Sequence, residues 1–360
     1  MKLFKQVTAF SIAMLLFTSV LTGCQKKEIN VSDDGTSTLA STDVANTEVA
    51  KVGDAVITVA DIQYYVYNAA MMQLYQKNPQ FNGDISKVDW KEKQESGKTL
   101  EESILDEALS KAISDCITIQ KGAEQGIVFS EDEKNQMNQI IDSFVAQYGE
   151  EIFRLNLNAM GMSSKEDYQK IYERVTLVQM IEEDIQADIV KYISDTDKLK
   201  KYKNSDKATV QHVLIMGEGS KFENPEEVAK EVLAKAKAGE DFVALMEEYN
   251  EDPGATAAGY TFGPGEMVQE FEKASFALEL EEISDIVQTD YGYHIIKRMV
   301  GTAELQNYWK AEADIDVKNG VLRKISVPDI LNAVIDTQKK LQEMNMSEEA
   351  VAEQEETEGE

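Results

Sequence analysis

The apolar positions change their spacing twice along this chain, and the changes divide it into three parts. Val49 to Ile57 alternates and turns at Gly53-Asp54, which predicts a short strand or hairpin. Thr58 and Asp61 can cap a following helix that carries Ile62, Tyr65, Val66 and Ala69 on one side. From Thr99 to Glu124, Leu100, Ile104, Leu105, Ala108, Leu109, Ala112, Ile113, Cys116 and Ile117 recur at helical spacing. Ser130-x-x-Glu133 and Ser163-x-x-Glu166 read as capping boxes, the second opening a stripe from Tyr168 and Ile171 to Ile185 and Ile189. Stripes of this kind are ordinary helix-packing surface, so this part is expected to be α-helical.

At Lys207 the period shortens. Thr209 to Met216 is β-branched and alternating, the pattern of a strand. Asn224 and Pro225 start a helix that Gly239 stops, and Asp241 caps another from Phe242 to Tyr249. A loop rich in Gly and Pro, Asp252 to Gly265, precedes a short helix over Val268–Ala277. Ile283–Thr289 and Tyr293–Met299 then read as two strands around the Asp290-Tyr291-Gly292 turn. The predicted order is β-α-α-α-β-β, a small α+β unit. Ala303–Asp314 and Val327–Met344 return to helical spacing, so the flanking helices are expected to pack together as one lobe.

The two ends carry other signals. Lys2 and Lys5 precede an apolar run, Val7 to Val20, that closes on Leu21-Thr22-Gly23-Cys24. A basic front, a short apolar core and small residues read as a secretory signal over 1–23. The ending resembles a bacterial lipobox, which implies that Cys24 becomes a lipidated N-terminus. Residues 24–48 are rich in Ser, Thr, Asp and Asn and are expected to form a disordered tether; 346–360 is expected to be a disordered acidic tail. Cys24 and Cys116 are the only cysteines, so lipidation of one leaves no internal disulfide. The net charge of −30 makes nucleic acid and anionic lipid poor partners, and no nucleic acid is expected, since their counterions are displaced by Lys and Arg. With two histidines and one further cysteine, a transition-metal site is not expected.

Several short motifs fall in register within the mixed unit. They are Val210-Gln-His-Val-Leu-Ile, Phe242-x-x-Leu245-x-x-x-Tyr249-Asn-Glu-Asp252, Gly265-Glu-Met267-Val-x-x-Phe271-Glu, Ala274-Ser-Phe276-Ala, and Ile283-Ser284-x-x-Val287-x-Thr289-x-Tyr291-Gly292-Tyr293-His294-Ile-Ile296. Together they strongly resemble the parvulin family of peptidyl-prolyl cis/trans isomerases. With a lipobox before and helices on both sides, the plan resembles PrsA-like foldase lipoproteins and SurA-like chaperones. The resemblance implies an α+β fold in which a parvulin-like β-α-α-α-β-β domain is inserted in, or flanked by, an α-helical chaperone-like lobe. The expected division is 49–206 for the helical N-terminal part, 207–301 for the isomerase domain and 302–345 for the C-terminal helical part.

The resemblance also implies roles. His212, Asp252, Thr289 and His294 fall at the family's catalytic positions, and Leu245, Met267 and Phe271 at or beside its proline pocket. Read for themselves, a Met/Phe pair is ordinary core and paired histidines are often satisfied core residues. Isomerisation breaks no covalent bond, so no cofactor is implied. The run Ala258-Gly-Tyr-Thr-Phe-Gly263 departs from the family's Gly-Gly-Asp-Leu-Gly-like loop. Expected partners are unfolded or newly translocated secreted proteins, with the membrane reached through lipid on Cys24 at the outer face of a bacterial cell membrane. A holdase chaperone with a weak or inactive isomerase domain is the alternative. Long amphipathic helices fit a client crevice or a dimer seam equally well.

Overall fold

The computed structural model describes residues 45–204 and 206–357, with side chains through 344. The signal segment, Cys24 and most of the tether lie outside the described residues. In chain order the elements are β1 (Glu48–Val52), β2 (Ala55–Thr58), α1 (Val59–Lys77), α2 (Leu100–Glu124), α3 (Glu131–Tyr148), α4 (Glu150–Ala159), α5 (Lys165–Ala187), α6 (Thr196–Leu199) and β3 (Ala208–Met216). There follow α7 (Pro225–Lys237), α8 (Phe242–Tyr249), β4 (Tyr260–Phe262), α9 (Gln269–Ala277), β5 (Val287–Thr289), β6 (Gly292–Arg298), α10 (Thr302–Glu312), β7 (Ile315–Val317), α11 (Asn319–Leu322) and α12 (Val327–Thr357). Contacts divide them into two compact units: residues up to 180 together with those from 313 onward, and residues 181–312.

The first unit joins segments from both sides of the second. β1 pairs antiparallel with β2 on one side and with β7 on the other, giving the order β2-β1-β7. The expected cap at Thr58/Asp61 and capping box at Ser130/Glu133 are present, both as capping boxes, each hydroxyl accepting a backbone N–H that has no helical partner. The third is displaced by one residue: Asp167 N–H donates to Ser164 Oγ and Ser163 N–H to Asp167 Oδ2, so Ser164 and Asp167 replace Ser163 and Glu166. The apolar stripe of α2 is buried from Leu100 to Ile117. α12 packs on α1 and α4, with Leu341 against Leu155 and Ala159. Arg323 reaches Asp106 at 2.5 Å, and Val327 N–H donates to Glu101. α12 also runs through 346–357, which the sequence reading assigned to a disordered tail. Glu, Ala, Met and Gln are strong helix formers and let the helix continue.

The second unit is a four-stranded antiparallel sheet of order β4-β3-β6-β5. Alternation on β3 and β6 separates two cores. Val213, Ile215 and Ile295 face α7 and α8, while Ala208, Val210 and Ile296 face α9. The unit is wider than the predicted 207–301. Tyr192 packs on Trp309 and Tyr202 on Tyr308 (centroids 5.8 and 5.7 Å apart), so α10 belongs here and not to the C-terminal helical part. The predicted strand over 283–289 is shorter: Ile283 makes an isolated bridge to Lys297 and regular pairing begins at Val287. β4 lies inside the expected loop, and β7 was not expected at all.

Candidate active site

The α9 face of the sheet brings the chain's two histidines together. Register places Leu214 opposite His294 and His212 opposite Ile296, so the histidines are diagonal neighbours on one face. Their ring centroids are 5.4 Å apart and both side chains are buried. Phe271, from α9, sets its ring edge-on at 5.2 Å from each of them. Met267 packs into the same apolar cluster with Phe262 and Tyr260.

Each histidine has one polar anchor. His212 Nε2 lies 3.0 Å from Asp252 Oδ2, and His294 Nε2 lies 2.8 Å from Thr289 Oγ1. The Nδ1 atoms of both rings are buried and make no hydrogen bond among the described residues. Burial pushes the His294 pKa down to about 4, with help from the neighbouring His212. Burial also lowers the His212 pKa, although Asp252 opposes it. Both rings are therefore neutral near pH 7, and His212 Nε2–H donates to the carboxylate.

Asp252 keeps its charge. Burial raises its pKa, but N–H of Gly254 (2.9 Å), O–H of Tyr260 (2.9 Å) and His212 together outweigh that effect and hold it below the ordinary carboxylate range. Tyr260 is in turn pushed up to about 12, by burial and then by its bond to Asp252.

The sequence reading therefore selected His212, Asp252, Thr289, His294, Met267 and Phe271, and the fold gathers these six on one face. Leu245 is a correction. It is fully buried in the core of the opposite face with Val213, Ile215 and Ile295, because the apolar side of α8 is turned to that face. Cys24 lies outside the described residues. Tyr260 was missed as a site residue. Its signal was the alternation Tyr260-Thr261-Phe262 inside a loop otherwise rich in small residues: β4 turns Tyr260 and Phe262 to the site face, with Tyr260 5.5 Å edge-on from His212. Gly259 makes this approach possible, since a Cβ there would lie 2.4 Å from the Val210 carbonyl and φ is +76°.

Comparison with known proteins bears on this unit. The PPIC-type PPIase domain family matches residues 192–299. Over that segment the chain is similar to PPIC-type PPIase domains. Over this part the chain is PrsA-like: foldase protein PrsA of Geobacillus kaustophilus is 46% identical over 114 residues, covering 30% of this chain and 38% of that protein. Foldase protein PrsA of a second Geobacillus species is 38% identical over 151 residues, 40% of this chain and 51% of that one. The matched part thus spans about two fifths to one half of these relatives' own length. Among solved structures, the parvulin of Nitrosopumilus maritimus is 32% identical and is covered in full by 27% of this chain, at a TM-score of 0.22.

Proposed function

We propose that this protein is a peptidyl-prolyl cis/trans isomerase, held by lipid on Cys24 at the outer face of the cell membrane, that assists the folding of exported proteins. The observation that carries the reading is one face of one sheet, where a neutral histidine pair anchored by Asp252 and Thr289 meets the apolar surface of Phe271 and Met267. An X–Pro bond isomerises through a twisted state that has lost amide resonance, against a barrier of about 18–20 kcal/mol. Phe271 and Met267 offer the proline ring an apolar surface. The planar amide carries partial negative charge on its oxygen, and twisting draws that charge back toward nitrogen. An ionised Asp252 beside the carbonyl disfavours the planar form more than the twisted one, which is differential stabilisation of the transition state. The histidines, neutral and buried, orient the polar side of the site. Thr289 fixes one ring and Asp252 the other.

Export and anchoring rest on Lys2, the apolar run to Val20 and the Leu21-Thr22-Gly23-Cys24 ending. Among the described residues no helix is long and apolar enough to cross a membrane. The test of the foldase reading is refolding of a secreted protein whose slow phase is proline-limited. Catalytic amounts of wild type should shorten that phase, and an unchanged phase would count against the reading. In a bacterial host, the wild-type chain should incorporate labelled fatty acid and sediment with membranes, whereas Cys24→Ser should do neither. Equal labelling of both would remove Cys24 as the anchor.

A further inference from the structure

β3 has a neighbour on its outer side only as far as Val210, where its pairing with β4 ends. Farther along, the segment after α8 takes the place of a strand, and does so partly with side chains. Leu214 N–H donates to Asn250 Oδ1 (2.8 Å), Glu251 N–H donates to the Leu214 carbonyl (2.9 Å), and Met216 N–H donates to Glu251 Oε2 (2.7 Å). The Asn250 side chain thus stands where an adjacent strand would present a backbone carbonyl. Its other arm turns inward: Nδ2–H donates to the backbone carbonyl of Asp252 (2.7 Å). One short amide therefore bridges the edge of the strand that carries His212 and the residue whose carboxylate His212 requires.

We propose that Asn250 is a positioning residue for the isomerase site, setting Asp252 at hydrogen-bonding distance from His212 by clamping its backbone to the β3 edge. Asp252 needs such a clamp because it lies in a loop, immediately before Pro253 and two residues before Gly254. Its carboxylate must meet three donors at once, Gly254 N–H, Tyr260 O–H and His212 Nε2–H. An amide is the side chain that fits, since it offers an acceptor and a donor from one planar group on a short stem. Aspartate would keep the bond from Leu214 N–H but set an oxygen against the Asp252 carbonyl. Glu251 completes the clamp: its carboxylate also accepts Ser220 O–H (2.8 Å) and Lys221 N–H (2.6 Å), tying the same segment to the loop after β3.

The role of Asn250 rests on the isomerase reading, and two readouts keep the two claims apart. In a proline-peptide assay on the full chain, Asn250→Asp and Asn250→Ala should each lower kcat/KM about tenfold or more, mainly through kcat, since a small displacement of a reacting group is costly. By NMR on Asn250→Ala, His212 should titrate at lower pH than in wild type, because it loses the carboxylate that favours its charged form. That titration reads the position of Asp252 whether or not the chain isomerises proline. Asn250→Ala that melts earlier but keeps the wild-type His212 titration would reduce Asn250 to a structural residue and overturn the proposal. So would Asn250→Asp with kcat within twofold of an active wild type. A wild type that is inactive, with the His212 titration shifted in Asn250→Ala, would sink the isomerase reading and leave the clamp standing.

Discussion

At the scale of single residues, the burial that keeps the two histidines neutral also makes the site sensitive to acid. Folded His294 takes up its proton near pH 4, whereas an unperturbed imidazole does so at 6.5. Between those values the unfolded chain binds more protons than the folded one, so stability rises with pH. It is complete above 6.5 and falls, as pH drops to about 4, by on the order of 3 kcal/mol from this group alone. His212 acts with the same sign. Thermal melts should show a fall in the transition of the 181–312 unit between pH 7 and 4, and His294→Gln should flatten that dependence. A slope unchanged by the substitution would show that His294 is not the group responsible. The identities of these residues were legible in the sequence, because two histidines, an aspartate and a threonine fell within motifs of fixed spacing. Their protonation states were not, because these follow from burial and from hydrogen bonds such as that of Tyr260, eight residues away from Asp252.

At the scale of elements, periodicity was informative where a whole face is buried. The α2 stripe and the alternation of β3 could be read directly, since each repeats over several turns or pairs. β4 and β7, three residues each, are too short to show a period and form because a longer strand offers them an edge. Leu245 failed for a related reason. Periodicity shows that the inner side of α8 is apolar but not which face of the sheet it covers. The departure of 258–263 from the parvulin-like loop pattern now has a physical content: the run forms β4, which sets Tyr260 and Phe262 against His212 and Phe271. That arrangement depends on Gly259. Gly259→Ala forces a Cβ against the Val210 carbonyl at positive φ and should cost roughly 2–4 kcal/mol. Denaturant melts of the domain test this, and a change below about 0.5 kcal/mol, the level of an ordinary surface substitution, would mean that β4 is not held this closely.

At the scale of the whole molecule, the first unit is made from segments that precede and follow the second in sequence. β7 completes the sheet begun by β1, and α12 covers α1 and α4. The sequence suggested this through helical segments on both sides of a mixed one, but placed α10 with the wrong partner. The aromatic contacts of Tyr308 and Trp309 involve residues more than 100 positions earlier and leave no mark on local spacing. A chain ending at residue 312 lacks β7 and α12. Its N-terminal helices should lose their cooperative transition in calorimetry, while the His212 and His294 resonances stay as in the full chain. Retention of the N-terminal transition would show that the two segments do not form one folding unit.

Isomerisation of X–Pro bonds is the activity proposed for the face that carries Asp252–His212 and Thr289–His294. Uncatalysed exchange takes tens to hundreds of seconds, so two-dimensional NMR exchange spectroscopy on a short X–Pro peptide shows no cis/trans cross-peaks at sub-second mixing times. With a catalytic amount of the wild-type protein such cross-peaks should appear, and with Asp252→Ala, folded by the same spectra, they should weaken about tenfold or more. Wild type that produces no cross-peaks, or Asp252→Ala that produces them undiminished, would show that this face does not isomerise proline bonds.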